Sequence, residues 1–229
     1  MSQSDLKELL LSPLLQLGVI YRYSGLYLTR PESTSDHTCQ VGIISFAIAS
    51  RCKMFGDDID LGKVTLLALV HDFDESLTSD FPRNIKYYFP ELRDSLDKVA
   101  HEALQKLESQ LKIDGLLELW ASAKTEGLEG LIVAIADTLQ VVKKAIEEIE
   151  LLGNKYMLRI TLEIEPTLEK LLKRIDDTFF VDPPAFASVS YVSQLVKDAI
   201  NCIKEIHWKH KADIEELGIQ KLKFVGEQI

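Results

Sequence analysis

A chain of 229 residues, 46% of them hydrophobic and with mean hydropathy +0.02, has enough apolar material for one sizeable core. No stretch approaches the about 20 uninterrupted apolar residues of a membrane span. The formal charge of −10 and the pI near 5.0 argue against a partner such as long nucleic acid, which needs a basic face against its phosphates, and leave open a small phosphorylated molecule held locally in a pocket. The start of the chain, Met1 to Glu8, lacks the basic region and apolar core of an export signal. Cys39, Cys52 and Cys202 are odd in number and have no metal-type spacing, so reduced core thiols in a cytoplasmic, non-membrane protein are expected.

Almost every segment carries a helical period. Leu6, Leu9, Leu10, Leu14, Leu15 and Leu17 form one stripe, predicting a first helix that runs to Leu17. Ser33 to Asp36 supply cap residues for a second helix over about 37–55, which Gly56-Asp57-Asp58 ends. A third helix, about 61–71, is apolar from Val64 onward and is expected to be buried all round. Thr78-Ser79-Asp80-Phe81-Pro82 reads as a loop, because Pro82 lacks an amide proton and holds Phe81 extended. Amphipathic stretches follow at about 91–111, 114–124, 127–152 and 155–175, the last with Pro166 inside it. Asp182-Pro183-Pro184 is the clearest boundary, and a final amphipathic segment covers about 187–217. The expected architecture is all-α, with a main domain over 1–178 and a helical extension over 179–229.

Two imidazoles and two carboxylates stand out within these helices. His37 lies early on the second, His71-Asp72 end the third, and Asp137 interrupts the apolar run Leu131 to Ala136. An unpartnered buried carboxylate costs several kcal/mol, so Asp72 and Asp137 call for a cation. A mixed set projected inward from separate helices suits one divalent ion, among Mn, Co, Mg, Ni, Fe and Zn. Glu75, one helical turn beyond His71, is expected on the same face. His101, His207 and His210 have no framing motif and read as surface or interface residues; Glu147, Glu148 and Glu150 read as a solvated helix face. Val189, Val192, Leu195, Val196, Ile200, Ile203 and Ile206 form a late apolar stripe on which a homodimer or larger homo-oligomer is expected to assemble.

The order His37, His71-Asp72, Asp137 resembles the signature of the HD-domain phosphohydrolases, an all-helical bundle family. Within it, the segment His71-Asp-Phe-Asp-Glu-Ser-Leu-Thr-Ser-Asp-Phe-Pro-Arg-Asn-Ile-Lys-Tyr87 is similar, without gaps, to that of the bacterial 5'-deoxynucleotidases. The resemblance runs from about Leu6 to Arg174. It implies that His37, His71, Asp72 and Asp137 bind the metal, that Glu75 orients or deprotonates the attacking water, and that Asp80 contacts the sugar or assists the water. Arg22 and Lys86 would bind phosphate, with Tyr23 and Thr78 also lining the substrate site. Three positions depart from the pattern: Ser79 replaces a glycine, Tyr23 a tryptophan that packs on the deoxyribose, and Ala134 a lysine. The implied activity is removal of the 5'-phosphate from nucleoside monophosphates. The alternatives are release of triphosphate from a dNTP, as in the phage-type branch, and a non-catalytic nucleotide-binding regulator.

Overall fold

The structure is a computed structural model that describes residues 3–82, 89–125, 127–181 and 186–218. Ten α-helices follow in chain order among the described residues: α1 (Gln3–Leu10), α2 (Thr34–Met54), α3 (Leu61–Val70), α4 (Glu75–Thr78), α5 (Pro90–Leu111), α6 (Leu116–Thr125), α7 (Gly127–Ile146), α8 (Leu158–Val181), α9 (Phe186–Lys209) and α10 (Lys211–Glu216). The only extended pairing among them is an isolated bridge between Tyr21 and Ser33.

The leucine stripe at the start does not make one helix. Pro13 has no amide proton to continue α1, and the Ser12 hydroxyl accepts the Leu14 amide, so a separate 3₁₀ turn runs over Pro13–Val19. α2 begins at Thr34 because Ser33 and Asp36 close a reciprocal capping box. The segment expected over 127–152 is α-helical only to Ile146 and then widens into a π turn over Glu147–Leu151. Asp182-Pro183-Pro184 lies outside the described residues.

α2 packs against α3 and α7, and α8 and α9 close the far side of α7. Val192, Val196, Ile200, Ile203 and Ile206 of α9 are buried in the same core as Val41, Ile48, Leu67, Ile132 and Ile135. The late apolar stripe is therefore satisfied within the chain, which removes the ground on which assembly through it was expected. α3 is not buried all round either, since Leu66 and Leu69 face solvent. Cys52 is a core thiol, whereas Cys39 is exposed.

Glu148 is completely buried and does not belong to a solvated face. Its carboxylate accepts from the Thr29 and Arg30 amides at 2.8 and 2.9 Å, from Asn154 Nδ2 at 2.7 Å and from Lys144 Nζ at 2.9 Å. Burial pushes its pKa up, but these donors outweigh that and hold it at about 2. Lys144 also donates to the Arg30 carbonyl at 2.6 Å. A buried ion pair persists only with its remaining bonds satisfied, and here the partners are loop amides. The network thus pins residues 29–30 to the end of α7, just before the chain enters α2 and the site.

Candidate metal centre and active site

Three elements deliver one cluster. His37 sits in the first turn of capped α2, His71 caps the C-terminus of α3, and Asp137 lies midway along α7. After His71 the chain tightens into i→i−3 bonds (Phe73 N to Val70 O, Glu75 N to Asp72 O), so a run of turns replaces the regular helical turn expected between His71 and Glu75. His37 Nε2 is 3.3 Å from His71 Nε2, and Asp72 Oδ2 is 3.4 and 3.1 Å from those two nitrogens. Asp137 Oδ1 lies 3.2 Å from His37 Nε2.

These edges fit a shared cation. At metal–ligand distances of about 2.1 Å, neighbouring donors are separated by about 3.0 Å in octahedral and about 3.4 Å in tetrahedral coordination. Both Nδ1 atoms are engaged elsewhere, His37 with Gln140 Oε1 and His71 with the Ala68 carbonyl, each at 2.7 Å. A neutral imidazole that donates from Nδ1 turns the lone pair of Nε2 outward. Two such lone pairs face one another 3.3 Å apart beside a carboxylate, an arrangement that needs a positive centre. The carboxylates themselves are not entombed as the sequence suggested: the Asp72 and Asp137 side chains are 19% and 32% exposed. They form the solvent-facing side of the cluster.

The electrostatics agree. Burial and Arg22 lower the pKa of His37, but hydrogen bonds to Asp137 and Asp72 raise it to about 9. Burial pushes Asp137 upward, yet His37 and His71 hold it at about 2. Asp72 stays well below the usual carboxylate range despite burial, because both histidines and Arg22 face it. A site that keeps two carboxylates charged and two imidazoles proton-hungry stabilises positive charge at its centre.

Arg22 reaches the cluster from a short extended segment, held by the Arg22 N to Glu32 O and Thr34 N to Ile20 O bonds. Its Nη1 is 3.0 Å from Asp72 Oδ2 and 4.0 Å from Glu75 Oε2, while its Nε is buried without a partner. Glu75 is buried, and its Oε2 accepts the Thr34 hydroxyl at 3.1 Å. Asp80 Oδ2 accepts the backbone amide of Tyr23 at 2.9 Å, tying the 78–82 loop to the arginine segment. That contact supports Tyr23 in a left-handed conformation with φ 60°. Ser79 adopts φ 63° and ψ 168°, a nearly glycine-only region worth about 1–3 kcal/mol of strain. Thr78 turns its hydroxyl back onto the Asp74 carbonyl at 3.0 Å, so it does not join the cluster. Lys86 lies outside the described residues. Thr34, Glu32 and Gln140 were not singled out from the sequence. The available signals were that Gln140 shares a helix face with Asp137, three residues on, and that Glu32 and Thr34 flank the capping serine.

Comparison with known proteins fits this arrangement. The family model of YfbR-like 5'-deoxynucleotidases matches residues 10–185. The chain belongs to that family. It is 32% identical over 149 residues to 5'-deoxynucleotidase VV1113 of Vibrio vulnificus, covering 63% of this chain and 77% of the relative. It is 30% identical over 186 residues to 5'-deoxynucleotidase YfbR of Escherichia coli, covering 78% and 92%. Its fold is similar to that of an HD-domain phosphohydrolase from Listeria innocua, with TM-score 0.67, 22% identity and coverage of 92% and 97%. The match extends past Arg174, the limit of the sequence resemblance, to the end of α8 and beyond. No helix of the described residues is long and apolar enough to cross a membrane.

Proposed function

We propose that this protein is a divalent-metal-dependent 5'-nucleotidase that hydrolyses deoxyribonucleoside monophosphates to nucleoside and phosphate. The observation that carries the reading is the convergence of His37 Nε2, His71 Nε2 and Asp72 Oδ2 within 3.1–3.4 Å of one another, beside Asp137 and the half-buried Arg22. His37, His71, Asp72 and Asp137 hold one ion, with Mn, Co, Mg, Ni, Fe and Zn all compatible with the N₂O₂ set. When bound, such an ion supplies Lewis acidity toward phosphate and makes water acidic near neutral pH.

The chain's own residues do the rest. Arg22 offers its unpartnered Nε to a phosphate oxygen while Nη1 holds Asp72, and Nη2, on the same edge of the guanidinium as the Nε proton, can take a second oxygen in the bidentate contact a guanidinium favours. Glu75, oriented by Thr34, takes a proton from the attacking water as the P–O ester bond breaks and gives it to the departing oxygen, so that the nucleoside leaves as its alcohol. Asp80 holds the Tyr23 amide, and with it the Arg22 segment, and its proposed role is to contact the sugar or assist the water. Tyr23, Thr78 and Lys86 complete the proposed substrate contacts, with Tyr23 bounding the sugar.

Substrate length follows from charge. A monophosphate dianion is matched by one metal and one or two cations, whereas a triphosphate of about four charges wants more donors in a low-dielectric pocket. Lys144 and Lys124 are committed to Glu148 and Asp74, and position 134 is alanine. In an assay of metal-reconstituted protein with dNMPs, NMPs and dNTPs, kcat/KM is expected to be higher for a dNMP than for the matching dNTP. Release of intact triphosphate at the higher kcat/KM would replace this reading with the triphosphohydrolase one. No turnover together with tight nucleotide binding would replace it with the regulatory one.

The protein is proposed to be cytoplasmic, in keeping with its unpaired cysteines, and to act as a homodimer or larger homo-oligomer. With the α9 stripe buried, the faces that support assembly are Ile43 and Phe46 on α2 and Leu66 and Leu69 on α3, exposed one turn apart on two helices that pack together. Light scattering at micromolar concentration is expected to give at least twice the chain mass of 25.9 kDa; a single-chain particle contradicts this.

A further inference from the structure

We infer that Glu32 and Gln140 form a directional relay that fixes which nitrogen of His37 is free to bind metal, a positioning role that rests on the metal-centre reading above. Gln140 Nε2 donates to Glu32 Oε1 at 2.6 Å, and Gln140 Oε1 meets His37 Nδ1 at 2.7 Å. Gln140 and His37 are completely buried and Glu32 is 4% exposed, so these groups are shielded from bulk solvent.

The direction comes from the carboxylate. A glutamine amide has two ends of opposite character, and rotating it by 180° exchanges donor for acceptor. An ionised carboxylate only accepts, so Glu32 selects the orientation that points the amide N–H₂ toward itself and Oε1 toward the imidazole. Oε1 only accepts as well, so His37 places its proton on Nδ1 and leaves Nε2 bare toward Asp72, Asp137 and His71. In the reversed orientation the amide would donate to Nδ1 and favour the tautomer whose Nε2 carries the proton, which cannot ligate. His71 needs no such device. Its Nδ1 faces the Ala68 carbonyl, a backbone acceptor that cannot turn over.

The placement is economical in sequence. Gln140 is three residues after Asp137 on α7, so one helix face supplies both a direct carboxylate donor and the group that sets its neighbour's tautomer. Glu32 immediately precedes the Ser33 cap of the helix that carries His37, and its backbone carbonyl also holds the Arg22 amide at 2.9 Å. Setting the tautomer and placing the arginine segment therefore depend on a single residue through two different groups. A side-chain change at 32 tests the first and leaves the second in place.

Zinc affinity, measured by chelator competition on the full chain, is the test, with melting temperature as the control for folding. Gln140→Met keeps the length and removes the acceptor; zinc Kd is expected to rise about 10–100-fold. Glu32→Gln keeps the shape and removes the directional bias, because two amides can pair in either sense, so a smaller rise is expected. In zinc-loaded wild type the His37 Nδ1 proton should be visible by ¹⁵N-resolved NMR and slow to exchange, and in Gln140→Met it should exchange rapidly. Wild-type zinc Kd in both variants would overturn the relay while leaving the metal centre standing. A wild-type chain that binds no zinc, manganese or cobalt would overturn both. A variant that loses affinity only in proportion to a fall in melting temperature, with its His37 proton still protected, would reduce these residues to packing.

Discussion

Asp72→Ala is expected to abolish stoichiometric metal binding and turnover together. Its Oδ2 is the point that the other groups share, 3.1 Å from His71 Nε2, 3.4 Å from His37 Nε2 and 3.0 Å from Arg22 Nη1. Removing it leaves the Arg22 guanidinium facing two imidazoles, with Glu75 4.0 Å from Arg22 and Asp137 3.2 Å from His37 Nε2. A cation entering that site would lose its central carboxylate donor and meet an Arg22 charge no longer paired by Asp72. Asp72→Asn, which keeps the shape and loses the charge, should lose the metal with a smaller change in melting temperature. Elemental analysis checks both variants. One ion per chain retained in Asp72→Ala would mean that the site is misassigned.

Glu75→Gln is expected to separate metal binding from chemistry. Glu75 touches Thr34 and approaches Arg22, and it is not one of the converging His37, His71 and Asp72 donors. The amide can still accept the Thr34 hydroxyl, so the fold and the metal should survive, but it cannot take a proton from water at neutral pH. Loss of one general base costs about 10²–10⁴ in rate, and the loss should fall on kcat with KM little changed. A Glu75→Gln protein with near-wild-type kcat would remove the residue from the proton-transfer role.

How far the chain could be read before its structure depended on whether the relevant partner was local. The start of α2 was legible from its cap and α7 from its apolar stripe, because both signals are written within a few residues. The break at Pro13 was missed because the leucine period runs straight across it. Glu148 looked solvent-facing, since nothing near it in sequence announces that the amides of Thr29 and Arg30, about 118 residues away, fold onto it. Likewise the α9 stripe looked surplus because its partners on α2 and α7 are distant in the chain. The members of the cluster were nameable from order and residue type. Their second partners were not: Thr34 behind Glu75, and Gln140 and Glu32 behind His37, are ordinary polar residues until the helices come together.

The most direct test strips the wild-type protein with a chelator and titrates one divalent metal back, following bound ion and phosphate release from a deoxynucleoside monophosphate in the same samples. The two curves are expected to rise together and to saturate at one ion per chain, with no activity in the stripped protein. Full activity in the stripped protein, or saturation of activity without any ion bound at His37, His71, Asp72 and Asp137, would contradict the account.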